Sequence, residues 1–153
     1  MALNLFNYEA PARQIEADDS VILRGLDEAE WRTLLEFTEC QRYPAGKQIL
    51  RMGEADRTLY ILQSGKVDVI IESMRKARVI ATIAAGSVFG ELAFFDGSPR
   101  FASIRATEDC ELLALSHAAF TKLAAWHPRI ARELLFDLGR VLSARLRRVQ
   151  ARS

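Results

Sequence analysis

The chain has 153 residues, half of them hydrophobic and 27% charged, with a formal net charge of +1. That is the size and make-up of one soluble globular domain, long enough to bury roughly two-thirds of its unfolded surface, and it gives no global case for a nucleic acid or an anionic membrane as partner. The two cysteines, Cys40 and Cys110, are far apart without metal-type spacing and read as free thiols of a reducing compartment; no apolar run is long enough to span a bilayer, the N-terminus lacks the charged-then-apolar order of a secretion signal, and the cytoplasm is the expected location.

Residues 1–20 carry a small apolar cluster, Leu3, Leu5, Phe6 and Tyr8, then Pro11 and a polar stretch ending at Asp18-Asp19-Ser20. They read as an N-terminal arm, extended or a short helix, that either docks through its cluster or stays partly disordered. Residues 21–153 read as one domain. Asp27 suits an N-cap, with Glu28 and Glu30 in the first turn and Trp31, Leu34, Leu35 and Thr38 at helical spacing, so a helix is predicted from about Asp27 to Phe37. From about residue 40 to 116 short apolar runs alternate with glycine turns. Gln48–Arg51, Leu59–Leu62, Val67–Ile71, Val79–Ile83 and Glu111–Ser116 are the predicted strands. Runs of this length and spacing indicate a mainly β fold, an antiparallel barrel or jelly roll. The basic loop Arg75-Lys76-Ala77-Arg78 fits a solvated hairpin tip better than a nucleic-acid contact.

After the last strand, Ser116 caps a helix through Ala118, Phe120, Leu123 and Trp126, and Pro128 suits the first turn of a second one. The second helix carries Ile130, Leu134, Leu135, Leu138, Val141, Leu142, Leu146 and Val149 on one broad face, with six arginines among them. Part of that face covers the barrel. Leu135, Leu138, Leu142 and Val149 have near-heptad spacing and suit pairing with a second copy, although Arg145 interrupts the seam. A monomer whose helix packs only on its own barrel stays open. The arginine-rich end suits the helix dipole as a solvated terminus.

The stretch Val88–Ala106, VFGELAFFDGSPRFASIRA, carries the chemistry. Gly90 precedes a run, Glu91 to Phe95, of about one and a half helical turns. The run stops at the turn signal Asp96-Gly97-Ser98-Pro99, and Phe101 to Ala106 alternates like a strand. A short helix offers free N–H groups at its start, Arg100 offers a planar fork for a phosphate, Glu91 accepts from hydroxyls, and Gly90 lets a backbone approach closely. An alternative on the same spacing is a Glu91–Arg100 salt bridge across a loop. Glu91 with Asp96 has the residue types of an acid–base pair, but Asp96 is better read as a loop cap.

This stretch resembles the phosphate-binding cassette of cyclic-nucleotide-binding domains, found in catabolite-activator transcription factors, cyclic-nucleotide-dependent kinases and gated channels. Phe89, Gly90, Glu91, Leu92, Ala93, Pro99, Arg100, Ala102, Ser103 and Ile104 fit the family pattern. PAGKxILxxG and LYILxxGKV upstream extend the resemblance to about Leu26–Leu146. It implies a double-stranded β-helix with an N-terminal helix, a short cassette helix and C-terminal helices. It also implies a ligand site at Gly90, Glu91, Leu92, Ala93, Arg100, Phe101, Ala102 and Ser103, with Glu91 on a ribose hydroxyl and Arg100 on a cyclic phosphate. Phe101 departs from the family, which places a small residue there. The ring would stack on a purine, turn away, or plug the pocket. The threonine that reads guanine is absent, so cAMP is favoured over cGMP.

The expectation is a regulatory, non-enzymatic sensor signalling through its C-terminal helix, with a cyclic nucleotide as ligand, no cofactor and no metal. Its partners would be a second copy or an unidentified protein. Two alternatives remain. One is an orphan module with a blocked pocket, kept for dimerisation or docking. The other is the effector half of a transcription regulator, because no second recognition helix follows and direct DNA binding is not expected. His117 and His127 lie in the helical part, away from strands that would carry a cupin-type metal. No Ser-His-Asp or Cys-His arrangement stands out.

Overall fold

Residues 13–14 and 21–151 are described by the computed structural model. In chain order the elements are β1 (Arg13–Gln14), α1 (Glu28–Glu36), β2 (Glu39–Tyr43), β3 (Gln48–Leu50), β4 (Leu59–Ser64), β5 (Lys66–Glu72), β6 (Ala77–Ala84), β7 (Val88–Phe89), α2 (Glu91–Asp96), β8 (Ser103–Ala106), β9 (Cys110–Leu115), α3 (His117–Trp126) and α4 (Pro128–Ala151). The strands form two sheets, β1-β6-β5-β8-β3 and β2-β9-β4-β7. Every pairing is antiparallel except β1 with β6, which runs parallel from Arg13 opposite Ala81. The predicted mainly β jelly roll with flanking helices is the fold observed. The apolar cluster assigned to the arm lies outside the described residues.

Strands β4 and β9 are buried on both faces, which is why they read as continuous apolar runs, LYIL and LLAL. Their period of two sorts side chains between two cores. Tyr60, Leu62, Cys110, Leu112 and Ala114 point into the barrel, with Val67, Val69, Phe89 and Ile104. Leu59, Ile61, Leu113 and Leu115 point outward, onto Leu34, Leu123, Ile130, Leu134, Leu138 and Val141 of the helices.

The helix caps follow the sequence closely. Asp27 caps α1 in a full capping box with Glu30, and the Ser116 hydroxyl accepts from the Ala119 amide. Pro128 opens α4. The tip Ser73–Lys76 closes the β5–β6 hairpin, so Ala77 and Arg78 belong to β6 and only Arg75 and Lys76 of the basic run sit in the turn.

Three expectations are corrected. Strand β2, ECQRY, was not among the predicted strands, since its mixed polar pattern on a half-exposed edge carries no apolar alternation. The strand after Arg100 begins at Ser103, not Phe101, because Phe101 and Ala102 form a bend into the sheet. Leu138 is fully buried in the helix–barrel core, so it is not available to a pairing seam. Leu135 stays 40% exposed.

Candidate functional site

The cassette begins where β7 pairs with β4, Phe89 opposite Tyr60. Gly90 then turns left-handed, φ 82°, a conformation costly for any residue with a Cβ. A Cβ there would lie 2.7 Å from Arg100 Nη1 and 2.9 Å from the Thr58 carbonyl. The glycine is therefore required twice, by its dihedral and by what crosses it. Helix α2 follows, six residues with no side-chain cap at its start. The Phe94 amide donates to Gly90 O, while the amides of the first turn have no partner within the helix.

Arg100 is 4% exposed. Its Nη1 donates to Gly90 O at 3.0 Å, and its Nη2 to Thr58 O at 2.7 Å and to Asp56 Oδ2 at 3.1 Å. Its backbone is pinned as well: the Arg100 amide donates to Glu54 O and the Gly53 amide to Arg100 O. Tyr60, stacked on Phe89, lies 6.0 Å under the guanidinium. Burial pushes the Tyr60 hydroxyl up to about 12, with the Asp56 carboxylate adding to the shift. Burial alone would raise Asp56 too, but the Thr58 hydroxyl and the Arg100 guanidinium outweigh it and hold that carboxyl below its usual range. With both terminal nitrogens engaged, Arg100 Nε is buried without a hydrogen-bond partner among the described residues.

Glu91 does not pair with Arg100. Its Oε1 accepts from Arg145 Nη1 at 2.7 Å, and Arg145 Nη2 also donates to Val88 O at 2.6 Å and to Ser87 Oγ at 3.2 Å. Arg145 reaches in from α4, so the loop ion pair considered from spacing is replaced by two separate pairs, Glu91–Arg145 and Arg100–Asp56. Asp96 is a loop cap, accepting from the Ser98 amide at 2.8 Å.

A narrow cleft opens against these groups, lined by Leu50, Gly90, Leu92, Ala93, Arg100, Phe101, Ala102 and Ile104. Six of the eight expected site residues line it. Glu91 does not, and neither does Ser103, whose buried hydroxyl accepts from the Met52 amide at 2.9 Å. The cleft's volume is about 20 Å³, room for little more than a water molecule, with the half-buried Phe101 in its wall.

Residues 40–127 match the model of the cyclic nucleotide-binding domain. The chain belongs to that family. The cyclic AMP receptor protein of Thermus thermophilus is 34% identical over 80% of this chain and 57% of its own length. A cAMP-dependent protein kinase regulatory subunit of Colletotrichum orbiculare is 30% identical over 76% of this chain and 29% of its own length. A solved cyclic nucleotide-binding domain from Methylobacillus flagellatus superposes with a TM-score of 0.79 at 30% identity, covering 89% of this chain and 78% of that one. The chain thus spans little more than half, or under a third, of the two curated relatives.

Three residues of this cyclic nucleotide-binding domain were missed from sequence. Asp56 and Arg57 fall between the predicted strands Gln48–Arg51 and Leu59–Leu62, where no site residue is expected. Arg145 was noted only as an interruption of an apolar seam. A lone arginine in an apolar stripe is itself a signal, because a buried charge needs a partner.

Among the described residues no group of His, Cys, Asp and Glu could hold a metal ion. Cys110 is buried with its thiol raised by burial, the opposite of an activated nucleophile. No helix among the described residues is long and apolar enough to cross a membrane.

Proposed function

We propose that this domain is a regulatory, non-catalytic sensor that binds a cyclic nucleotide, cAMP ahead of cGMP, and signals through α4. The observation that carries this reading is Arg100: a buried guanidinium lining the cleft, held on three sides, with its Nε donor unpaired. A fixed, charged donor beside the amides of a helix start suits a phosphate. The cAMP preference is supported by Phe101, which offers guanine no hydroxyl. Signalling through α4 is supported by Arg145, which ties that helix to Glu91. A ligand that draws on Glu91 moves the helix only as far as its affinity differs between the two helix positions.

Phe101 in the wall of so small a cleft favours a second reading, a domain whose pocket is plugged and which serves as a docking or dimerisation module. One calorimetric series with cAMP and cGMP separates the two. For a sensor, wild type binds saturably, and Arg100→Ala weakens binding by tens to thousands of fold, the equivalent of about 2–5 kcal/mol for a buried charge left without its partner. Unchanged affinity in Arg100→Ala removes that residue from the site. Phe101→Ala lowers affinity where the ring stacks on the base. It creates or improves binding where the ring is a plug.

A further inference from the structure

Helix α2 is six residues long, too short to be stable by its own hydrogen bonds. The carbonyls of its last turn are met from outside. Arg57 Nη2 donates to Phe94 O at 3.0 Å and to Phe95 O at 2.9 Å. The guanidinium and its stem pack beside Gly97, the left-handed residue that ends the helix. A cation at that end also complements the helix dipole. Arg57 stands between Asp56, which pairs with Arg100, and Thr58, whose carbonyl accepts from Arg100. It does not line the cleft. Three consecutive residues therefore grip both anion-facing groups: Asp56 and Thr58 hold the guanidinium, and Arg57 holds the helix.

We propose that Arg57 is a positioning residue of the anion site. By capping the last turn of α2 it sets the pose of the free amides at the opposite end, which face the ligand. The proposal rests on the reading that the cleft takes a cyclic nucleotide. An arginine that merely stabilised the loop would change melting temperature alone. A positioning arginine changes what happens at Glu91, Leu92 and Ala93, one helix length away.

The test compares wild type, Arg57→Ala and Arg57→Lys in two measurements, at a temperature where all three are folded. Calorimetric titration with cAMP is expected to show five- to twentyfold weaker binding for Arg57→Ala, and recovery of most of that loss in Arg57→Lys, whose ammonium keeps the charge and can donate to the Phe94 and Phe95 carbonyls. Amide ¹⁵N order parameters of the ligand-free proteins are expected to fall at Leu92 and Ala93 in Arg57→Ala, toward the flexible range below about 0.6, and to return in Arg57→Lys. Equal affinity in all three proteins, or loosening confined to Phe95–Gly97, overturns the proposal. If wild type binds neither cAMP nor cGMP, the nucleotide reading fails, and the order parameters still decide Arg57: loosening at Leu92 and Ala93 upholds it, and unchanged values overturn it.

Discussion

The two charged residues of the cassette are held in opposite ways. Arg100 is gripped by its own barrel: Gly90 O is ten positions away, and Asp56 and Thr58 belong to the loop leading into β4. Glu91 is gripped by Arg145, 54 positions along, on a helix that packs outside the barrel. The Arg100 half is thus preorganised wherever the barrel is folded. The Glu91 half is complete only while α4 is docked. A site divided this way has one permanent part and one conditional part, and only the conditional part can report to the rest of the chain.

Gly90→Ala strikes the permanent half directly and should have the largest effect. The new Cβ meets a backbone carbonyl, which cannot swing aside as a side chain can, and displaces the Arg100 Nη1 contact. Left-handed strain alone costs about 1–3 kcal/mol, so calorimetry should show a melting temperature lower by roughly 5–10 °C together with loss of cyclic-nucleotide binding. A variant that melts like wild type would mean the crossing at Gly90 is looser than its geometry indicates. Arg145→Ala should spare the barrel and act on α4. Losing its three contacts is worth about 1–3 kcal/mol locally, so amide exchange in the last turns of α4 should quicken by about ten- to a hundredfold while β4 and β9 keep their protection. Equal protection at the end of α4 would show that apolar packing, not the ion pair, holds it, and the division into permanent and conditional halves would fall.

Gly90 and Arg100 of the permanent half are legible in the sequence because they lie close together, whereas Asp56 and Thr58, more than 40 positions from Arg100, are not. Gly90, Arg100 and the turn at Asp96 lie within one short stretch, and the strand runs at 59–62 and 111–116 announce themselves by burial on both faces. The conditional half was not legible in the same way. Periodicity places Arg145 on a helix face but does not say which carboxylate it meets, because that depends on how α4 crosses the barrel. Leu138 was misassigned for the same reason: heptad spacing on a helix gives a stripe, and only the packing tells which flank of the stripe the barrel takes. Strand β2 escaped because an edge strand with exposed polar residues lacks the apolar alternation that marks the others.

The smallest effect isolates the support of Arg100 from within the barrel. In Asp56 the Thr58 and Arg100 contacts outweigh burial and lower the carboxyl's proton affinity in the folded state below its unfolded value near 3.8. A depressed folded value means the carboxylate contributes stability above about pH 4, and that contribution disappears as pH falls through the folded value. The side chain is 40% exposed, so solvent screening limits the contribution to about 1 kcal/mol or less, a melting-temperature difference of only about 2–4 °C. Asp56→Asn keeps a side-chain oxygen for Thr58 but loses the charge. It should therefore melt slightly below wild type between pH 5 and 7, with the gap closing as pH drops under 4 and shrinking in high salt. A gap that stays constant down to pH 3 would place the loss in hydrogen-bond geometry rather than charge. Arg100 would then be held chiefly by the carbonyls of Gly90 and Thr58, which makes its half of the site still more independent of conditions than the half that waits on α4.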